Sequence, residues 1–164
     1  MNQSRKAVAY VGLGSNLDDP IDQVRRALEG LAWLPLTEVT ARSPLYTSAP
    51  VGPQDQPDFV NAAAAIVTRL SPLALLDQLQ ALEQRHRRVR ERHWGPRTLD
   101  LDLLWYDGLR LSTSRLTLPH PEMTNRRFVI EPLSAIAPGL SVEGEPLRVW
   151  HDRLRHQPLH PLDV

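Results

Sequence analysis

Apolar residues along this chain follow two different spacings, and each spacing predicts one kind of element. The apolar run AVAYVGL at residues 7–13 has the length and composition of a strand. A turn at residues 14–16 follows it, and Asp19 is then suited to cap a helix that has Pro20 at its first position. Apolar side chains recur at helical spacing within this helix, at Ile21, Val24, Leu28 and Leu31. The N-terminal part of the chain therefore predicts a strand followed by a helix.

The same alternation continues through the middle of the chain. Residues 37–46 predict a strand that bends or ends near Pro44, and residues 59–68 predict another. The segment SAPVGPQDQP at residues 48–57 separates them as a loop, because its three prolines and one glycine interrupt regular structure. Ser71-Pro72 then begins a second helix, whose apolar residues are Leu75, Leu76, Leu79 and Leu82.

The C-terminal half adds a strand, a turn and a helix. Residues 98–106 predict a strand, which Asp107-Gly108 would connect by a tight hairpin turn to residues 109–112. Residues 128–136 predict a short helix that ends before Pro138-Gly139. The order strand, helix, strand, strand, helix, strand is the split βαβ arrangement. We therefore expect an α+β fold, a ferredoxin-like antiparallel sheet with helices packed on it, in a single domain over residues 1–164.

Composition and charge exclude several classes of protein. The 164 residues are enough for one domain with a hydrophobic core, and the 19 basic residues balance the 19 acidic ones. A balanced charge is not that of a general nucleic-acid binder, and the absence of cysteine excludes disulfides and thiolate metal sites. The N-terminal sequence lacks the apolar core of a signal peptide, and no apolar run approaches the roughly 20 residues that span a bilayer. We therefore expect a cytoplasmic protein.

The segment WGPRTLDLDLLWY at residues 94–106 places two carboxylates in an otherwise apolar strand. Side chains two apart on a strand point to the same face, with α-carbons about 7 Å apart, so Asp100 and Asp102 share a face while leucines fill the other. Carboxylate oxygens presented this closely suit a hard cation such as Mg²⁺. The alternative is that both side chains face solvent, paired with arginines.

A basic segment precedes this strand. Residues 85–97 contain six arginines and end in Trp-Gly-Pro-Arg, with no helical stripe after Val89. Charge runs usually form solvated surfaces, but this one predicts a loop that is mobile without ligand and closes over a polyanion. Arginines beside metal-binding aspartates are the groups that phosphoryl transfer uses. No G-x-x-x-x-G-K-[ST] sequence is present, so a P-loop is excluded.

Two further polar positions stand out against their surroundings. Glu83 falls on the leucine face of the second helix, close to Gln80. The two form either a polar pair that faces a ligand cleft or a helix end that turns to solvent. His120 lies between two prolines, in a loop where a histidine is more often structural than catalytic. No second histidine has ligand spacing to His120, so the sequence gives little support for metal binding there.

Four segments together resemble the 6-hydroxymethyl-7,8-dihydropterin pyrophosphokinase family of folate biosynthesis. They are GLGSNL at residues 12–17, SPLYTSAPVGPQDQPDFVNAA at residues 43–63, HWGPRTLDLDLL at residues 93–104 and LTLPHPEMTNRRFVIEPL at residues 116–133. The resemblance implies an ATP- and Mg²⁺-dependent transferase that moves pyrophosphate from ATP to the hydroxymethyl group of the pterin and releases AMP. We accordingly expect a monomer that acts on small molecules, without nucleic acid or membrane.

The resemblance also implies roles for individual residues. Two Mg²⁺ ions would be held by Asp100 and Asp102, with Arg88 and Arg97 stabilising the phosphates during catalysis. The ATP-contacting set would be Gln80, Glu83, Arg90, Trp94, Leu103, Arg115, Thr117, His120 and Arg126. The pterin pocket would be formed by Ser48, Ala49, Val51, Phe59, Asn61 and Phe128.

Two other functions would use some of the same features. A Mg²⁺-dependent nuclease could use the aspartate pair, but it would need a further carboxylate or histidine as a base, and the sequence shows no obvious cluster. A ferredoxin-like RNA-binding module would need aromatic residues on its sheet, and only 5% of the residues are aromatic. Stabilisation by an ATP analogue with Mg²⁺, and not by oligonucleotides, would favour the kinase.

Overall fold

The computed structural model describes residues 5–17, 19–49, 57–87 and 99–163. The first half of the chain contains β1 (Ala7–Ser15), α1 (Pro20–Ala32), β2 (Thr37–Arg42), β3 (Tyr46–Ser48), β4 (Phe59–Thr68) and α2 (Pro72–Arg87). The second half contains β5 (Asp100–Tyr106), β6 (Leu111–Ser112), β7 (Thr117–Leu118), α3 (Arg127–Ile136), β8 (Ser141–Val142), β9 (Glu145–Pro146), α4 (Leu147–Arg153) and β10 (His160–Pro161). A turn of 3₁₀-helix at Met123–Asn125 precedes α3.

The main sheet has the strand order β10-β3-β4-β1-β5, and β2 also pairs with β4. All of its strand pairs are antiparallel. The predicted strand over residues 37–46 is interrupted near Pro44, as expected, which separates β2 from β3. Both strands pair with β4. The expected α+β class with an antiparallel sheet is therefore confirmed, and β1 lies between β4 and β5.

Apolar side chains form two cores, one on each face of the sheet. On one face α1 and α2 bury a cluster that includes Leu31, Ile66, Leu79 and Leu99. On the other face α3 and α4 bury a smaller cluster around Ile130. The second cluster covers only part of its face, so the rest of that face is open for a site. Within the described ranges, no helix is long and apolar enough to cross a bilayer.

Side chains cap the starts of α1 and α2, and the cap at Asp19 is the one that the sequence predicts. The Asp22 N–H donates to Asp19 Oδ1 (3.4 Å), and Pro20 occupies the first position of α1. The Ala74 N–H donates to Ser71 Oγ (3.2 Å) at the start of α2. These side chains satisfy backbone donors that the first helical turn leaves unpaired.

The predicted loop over residues 85–97 begins later than expected. The helix α2 continues through Arg87, so the first residues of the basic segment are helical. His86 explains the extension, because its ring is buried and its Nδ1 lies 2.7 Å from Gln23 Oε1 on α1. Residues 88–98 lie outside the described residues.

The predicted hairpin after β5 is wrong in its pairing. Asp107 and Gly108 do form the tight turn, with φ of 51° and 73°. However, β6 pairs with β7 and not with β5. The outer edge of β5 has other partners, since the Leu101 N–H donates to Glu83 Oε2 (2.7 Å) and Leu104 O accepts from the His120 N–H (2.8 Å). These contacts use backbone groups on the outer edge of β5 with which a hairpin strand would pair.

Candidate active site

The open face of the sheet presents two rows of side chains across β4, β1 and β5. Gly14 on β1 is paired with Asn61 on one side and with Asp100 on the other. Gly12 is paired with Ala63 and with Asp102 in the same way. Directly paired residues point to the same face of an antiparallel sheet. The two aspartates therefore share a face, as their spacing predicts, and that face also holds Asn61.

A pocket of about 230 Å³ opens over these rows. Five of the residues predicted to bind the pterin line it: Ser48, Ala49, Phe59, Asn61 and Phe128. Asp100, Asp102 and Arg126 also line it, and the Arg126 guanidinium lies over the Phe128 ring, with Cζ 5.7 Å from the centroid. Aromatic rings, an amide and carboxylates thus face one space.

Asn61 is held in a fixed orientation on the floor of this pocket. Its side-chain Nδ2 donates to Ser48 Oγ (2.8 Å), and the two residues are 3% and 7% exposed. The other amide atom, Oδ1, lies beside Gly14, where a Cβ would be 3.5 Å from it. The pairing β3–β4 places Ser48 next to Asn61, because Ser48 is paired with Phe59 and Tyr46 with Asn61. Oδ1 is therefore presented at the floor as a hydrogen-bond acceptor.

A second pocket meets the first at Asp102. It is lined by four residues of the predicted ATP-contacting set, namely Leu103, Arg115, Thr117 and His120, together with Asp102 itself. Arg115 is oriented by α2, because its Nη2 donates to Asp77 Oδ1 (2.6 Å) and Gln80 Oε1 (3.3 Å). His120 Nδ1 accepts a hydrogen bond from the Glu122 N–H (3.1 Å), which fixes the ring tautomer with its proton on Nε2. The predicted ATP residues thus gather beside the carboxylate pair.

Glu83 faces the strand that holds the aspartates. Its carboxylate is half-buried and accepts from the backbone N–H of Leu101, which lies between Asp100 and Asp102. The alternative of a helix end that turns to solvent is therefore wrong for this side chain. This hydrogen bond connects α2 to β5 at the residue between the two aspartates.

Five predicted site residues cannot be placed. Val51, Arg88, Arg90, Trp94 and Arg97 lie outside the described residues, and so does most of the segment predicted to close over ATP. In the described part of the chain, no group of three or more histidine, aspartate or glutamate side chains is arranged to hold a metal ion. The two carboxylates would therefore complete a metal site with phosphate oxygens and water, which is how Mg²⁺ is commonly held.

Two glycines on the pocket floor were not predicted from the sequence as site residues. Gly12 and Gly14 both line the first pocket, on β1, the strand between β4 and β5. Their sequence signal is a glycine pair at strand spacing inside an apolar strand, a position that usually marks a close approach by a ligand or another backbone. Leu13 and Ala62, which also line the pocket, carry no such signal.

Comparisons with known proteins match one family along most of the chain. A family model described as 7,8-dihydro-6-hydroxymethylpterin-pyrophosphokinase (HPPK) matches residues 10–138. The chain is 53% identical over 132 residues to 2-amino-4-hydroxy-6-hydroxymethyldihydropteridine pyrophosphokinase of Haemophilus influenzae, covering 80% of this chain and 82% of that protein. It is 39% identical over 153 residues to the Bacillus subtilis protein of the same name, covering 89% and 92%.

The fold is also that of a solved structure. A crystal structure of wild-type Plasmodium falciparum HPPK-DHPS superposes with a TM-score of 0.71 at 12% identity. The match covers 91% of this chain and 43% of that longer chain, so it bears on the fold alone. Because the family model covers most of the chain and the bacterial relatives are this similar, the chain belongs to the 7,8-dihydro-6-hydroxymethylpterin-pyrophosphokinase family.

Proposed function

We propose that this chain transfers the β,γ-pyrophosphoryl group of ATP to the hydroxymethyl oxygen of 6-hydroxymethyl-7,8-dihydropterin, giving the pterin diphosphate and AMP in folate biosynthesis. Family membership supports this function. The observation that carries it is the position of Asp102, which lines both the aromatic pocket and the pocket with Arg115 and His120. A flat acceptor in one pocket and a triphosphate in the other would meet at the carboxylate pair.

The first pocket suits a pterin in its chemistry. A pterin is flat and has hydrogen-bonding groups along one edge. Phe59 and Phe128 offer apolar ring faces, and Asn61 Oδ1 offers an acceptor for a donor of that edge. Ser48 and Ala49 line the same pocket, and we assign Val51 to it by the family resemblance alone.

The second pocket suits a nucleotide triphosphate. Arg115 and His120 are donors that can pair with phosphate or ribose oxygens, and Thr117 adds a hydroxyl. Arg126 lies at the rim of the first pocket, where it can reach a phosphate shared between the two. We assign ATP contacts to Gln80, Glu83, Arg90, Trp94 and Leu103, and phosphate stabilisation to Arg88 and Arg97, from the family resemblance.

Asp100 and Asp102 fit the Mg²⁺ role by their donor chemistry, since both are half-buried carboxylates on one strand face beside the proposed phosphate site. We propose that they hold two Mg²⁺ ions. Bound Mg²⁺ supplies neutralisation of phosphate charge and stabilises the attacking and leaving oxygens. The residues of the two pockets orient the acceptor oxygen toward the β-phosphorus. A bond forms between these two atoms, the bond from the β-phosphorus to the α,β-bridging oxygen breaks, AMP leaves with that oxygen, and the hydroxyl proton is released.

The product distinguishes this reaction from ordinary phosphoryl transfer. Incubation of the protein with ATP, Mg²⁺ and 6-hydroxymethyl-7,8-dihydropterin should yield AMP and the pterin diphosphate in equal amounts. Chromatography separates AMP from ADP. Formation of ADP, or hydrolysis of ATP that does not depend on the pterin, would rule out the proposed transfer.

Asp100→Asn and Asp102→Asn should each lower turnover by about 100-fold or more, because each removes a charge that holds the cation at the transferred group. The amide has nearly the volume of the carboxylate, so the melting temperature should change little. Asp107→Asn is the matched control, since Asp107 lies in the exposed turn after β5 and asparagine tolerates its positive φ. Wild-type turnover of both site variants at limiting Mg²⁺ would refute the metal assignment.

We further propose that the chain works as a single-domain monomer in the cytoplasm, on small molecules and without nucleic acid. The balanced charge supports action without nucleic acid, and the two pockets support small-molecule substrates. Sedimentation should give the mass of one chain. Thermal shifts should appear with an ATP analogue plus Mg²⁺, and a comparable shift with oligonucleotides would contradict the proposal.

A further inference from the structure

Gly14 lies at the centre of the pocket floor, between Asn61 on β4 and Asp100 on β5. Neither its backbone nor its packing requires glycine. Its φ lies outside the left-handed region, and a Cβ built there would come no nearer than 3.5 Å to a surrounding atom, which is an ordinary contact. Glycine inside a strand also weakens the strand. What remains to be explained is why this position places no side chain in the pocket.

We infer that Gly14 is a specificity-determining residue, which keeps the floor of the pocket deep enough for a flat bicyclic substrate to reach Asn61 Oδ1. This inference rests on the proposed function and deepens it. The missing side chain of Gly14 leaves the acceptor of Asn61 open and leaves room between Asn61 and Asp100 for the substrate's reactive arm.

The two nearest side chains show what a methyl group at this position would obstruct. The Cβ of an alanine would lie 3.5 Å from Asn61 Oδ1 and 3.9 Å from Phe59 Cδ1. It would therefore occupy the corner between the amide acceptor and the ring face, where the edge of the substrate is held. Asn61 cannot rotate away without losing the hydrogen bond from its Nδ2 to Ser48 Oγ. A bound ring would have to lift from the floor and lose the hydrogen bond to Oδ1.

The substitution Gly14→Ala should therefore affect stability and binding in opposite ways. The free protein has room for the methyl group, and alanine restricts the unfolded chain, so the melting temperature should stay the same or rise. The pterin complex lacks that room, so pterin affinity should fall. A residue with a purely structural role would lower stability and binding together.

The experiment is calorimetry with 6-hydroxymethyl-7,8-dihydropterin in the presence of Mg²⁺ and a non-hydrolysable ATP analogue. We expect Gly14→Ala to raise the Kd of the pterin by about 10-fold or more, the usual size of an overpacking penalty. The Kd of the ATP analogue alone should change less than about 2-fold, because its pocket lies on the other side of Asp102. Gly139→Ala is the matched control, since no atom lies within 4 Å of a Cβ at Gly139.

The outcomes separate this inference from the function on which it rests. Equal pterin affinity in Gly14→Ala and wild type would overturn the inference and leave the proposed function in place. A lowered melting temperature with equal losses for pterin and ATP analogue would also overturn it, because that result indicates general damage. Failure of the wild-type protein to bind the pterin at all would overturn the proposed function, and the inference with it.

Discussion

Glu83 connects α2 by a hydrogen bond to β5, the strand that carries the two aspartates. Its Oε2 accepts from the Leu101 N–H at 2.7 Å, and that N–H lies between the carboxylates in sequence. A hydrogen bond to a charged group contributes about 1.5–3 kcal/mol, more than most single contacts on an edge strand. The position of Asp100 and Asp102 therefore depends on a side chain that is separate from the pair itself.

Replacing Glu83 tests whether its position or its charge matters. Glu83→Ala should lower the free energy of unfolding by about 1–3 kcal/mol and raise the Mg²⁺ concentration for half-maximal activity, because the Leu101 N–H loses its acceptor. Glu83→Gln keeps an acceptor oxygen and should keep most of both properties. Denaturant unfolding and Mg²⁺ titration of turnover measure the two effects. If the glutamine variant is as impaired as the alanine variant, the negative charge is what the site requires.

At the residue scale, spacing along a strand predicted which side chains share a face, but it could not predict what lies across from them. Phe59 and Asn61 are two apart on β4 and do line one pocket. Gly14 lies opposite Asn61 only because of the β1–β4 register, which joins residues 47 positions apart. That register depends on packing of the whole sheet, and no local pattern in the sequence specifies it.

The element that shapes one wall of the pterin pocket is the short strand β3, and the C-terminal strand β10 supports it. His160 pairs with Thr47 and Pro161 with Tyr46, and the Leu162 N–H donates to Leu45 O (2.9 Å). Leu159, just before β10, is 6% exposed. The tail therefore holds β3, and β3 holds the Ser48 hydroxyl that orients Asn61.

Ending the chain at Pro158 should lower the free energy of unfolding by about 2–4 kcal/mol, since it removes a buried leucine and the pairing of β10. Pterin affinity should fall while affinity for the ATP analogue is retained, because β3 borders only the first pocket. Urea unfolding and calorimetry measure these changes. A chain that ends at Leu162 is the control, as it keeps β10. Unchanged pterin affinity in the shorter chain would show that β3 needs no support from the tail.

At the element scale, long periodic segments were predictable and very short strands were not. The cap at Asp19 and the Ser71-Pro72 pair marked the starts of α1 and α2, because both signals act on the adjacent turn. β10 has two residues and one proline, and its pairing with β3 has no signal in its own sequence. The hairpin after β5 was predicted wrongly because the turn residues are local signals, whereas the contacts of Glu83 and His120 with the β5 edge are not.

At the scale of the whole molecule, the helices α1 and α2 are joined beneath the sheet by a buried polar contact. His86 on α2 is 5% exposed and Gln23 on α1 is 5% exposed, and His86 Nδ1 lies 2.7 Å from Gln23 Oε1. An amide oxygen can only accept, so Nδ1 donates. This contact joins α1 to the C-terminal end of α2, where the basic segment of residues 85–97 begins. The overall order of elements was predictable from periodicity, but this pairing of two helices was not, because neither residue departs from an ordinary helical pattern.

The His86 contact makes the stability of the whole fold depend on pH. Burial lowers the pKa of His86 below its ordinary value of 6.5, and Arg26 and Arg85 lower it further, while Asp22 acts in the opposite direction. The unfolded chain therefore takes up this proton at a higher pH than the folded protein. Between the two pKa values the unfolded state holds more protons, so the free energy of unfolding falls as the pH is lowered through about 6.5.

We expect urea unfolding between about pH 8 and pH 5 to show this loss, with a slope of at most about 1.4 kcal/mol per pH unit from one proton. His86→Asn should flatten the slope, because asparagine can donate to Gln23 Oε1 from nearly the same position and does not titrate. His156→Asn is the control and should keep the slope, since His156 is an exposed histidine outside the buried contact. An unchanged slope in His86→Asn would mean that other groups cause the pH dependence. A flattened slope in that variant alone would show that one buried ring between α1 and α2 links the stability of the molecule to pH.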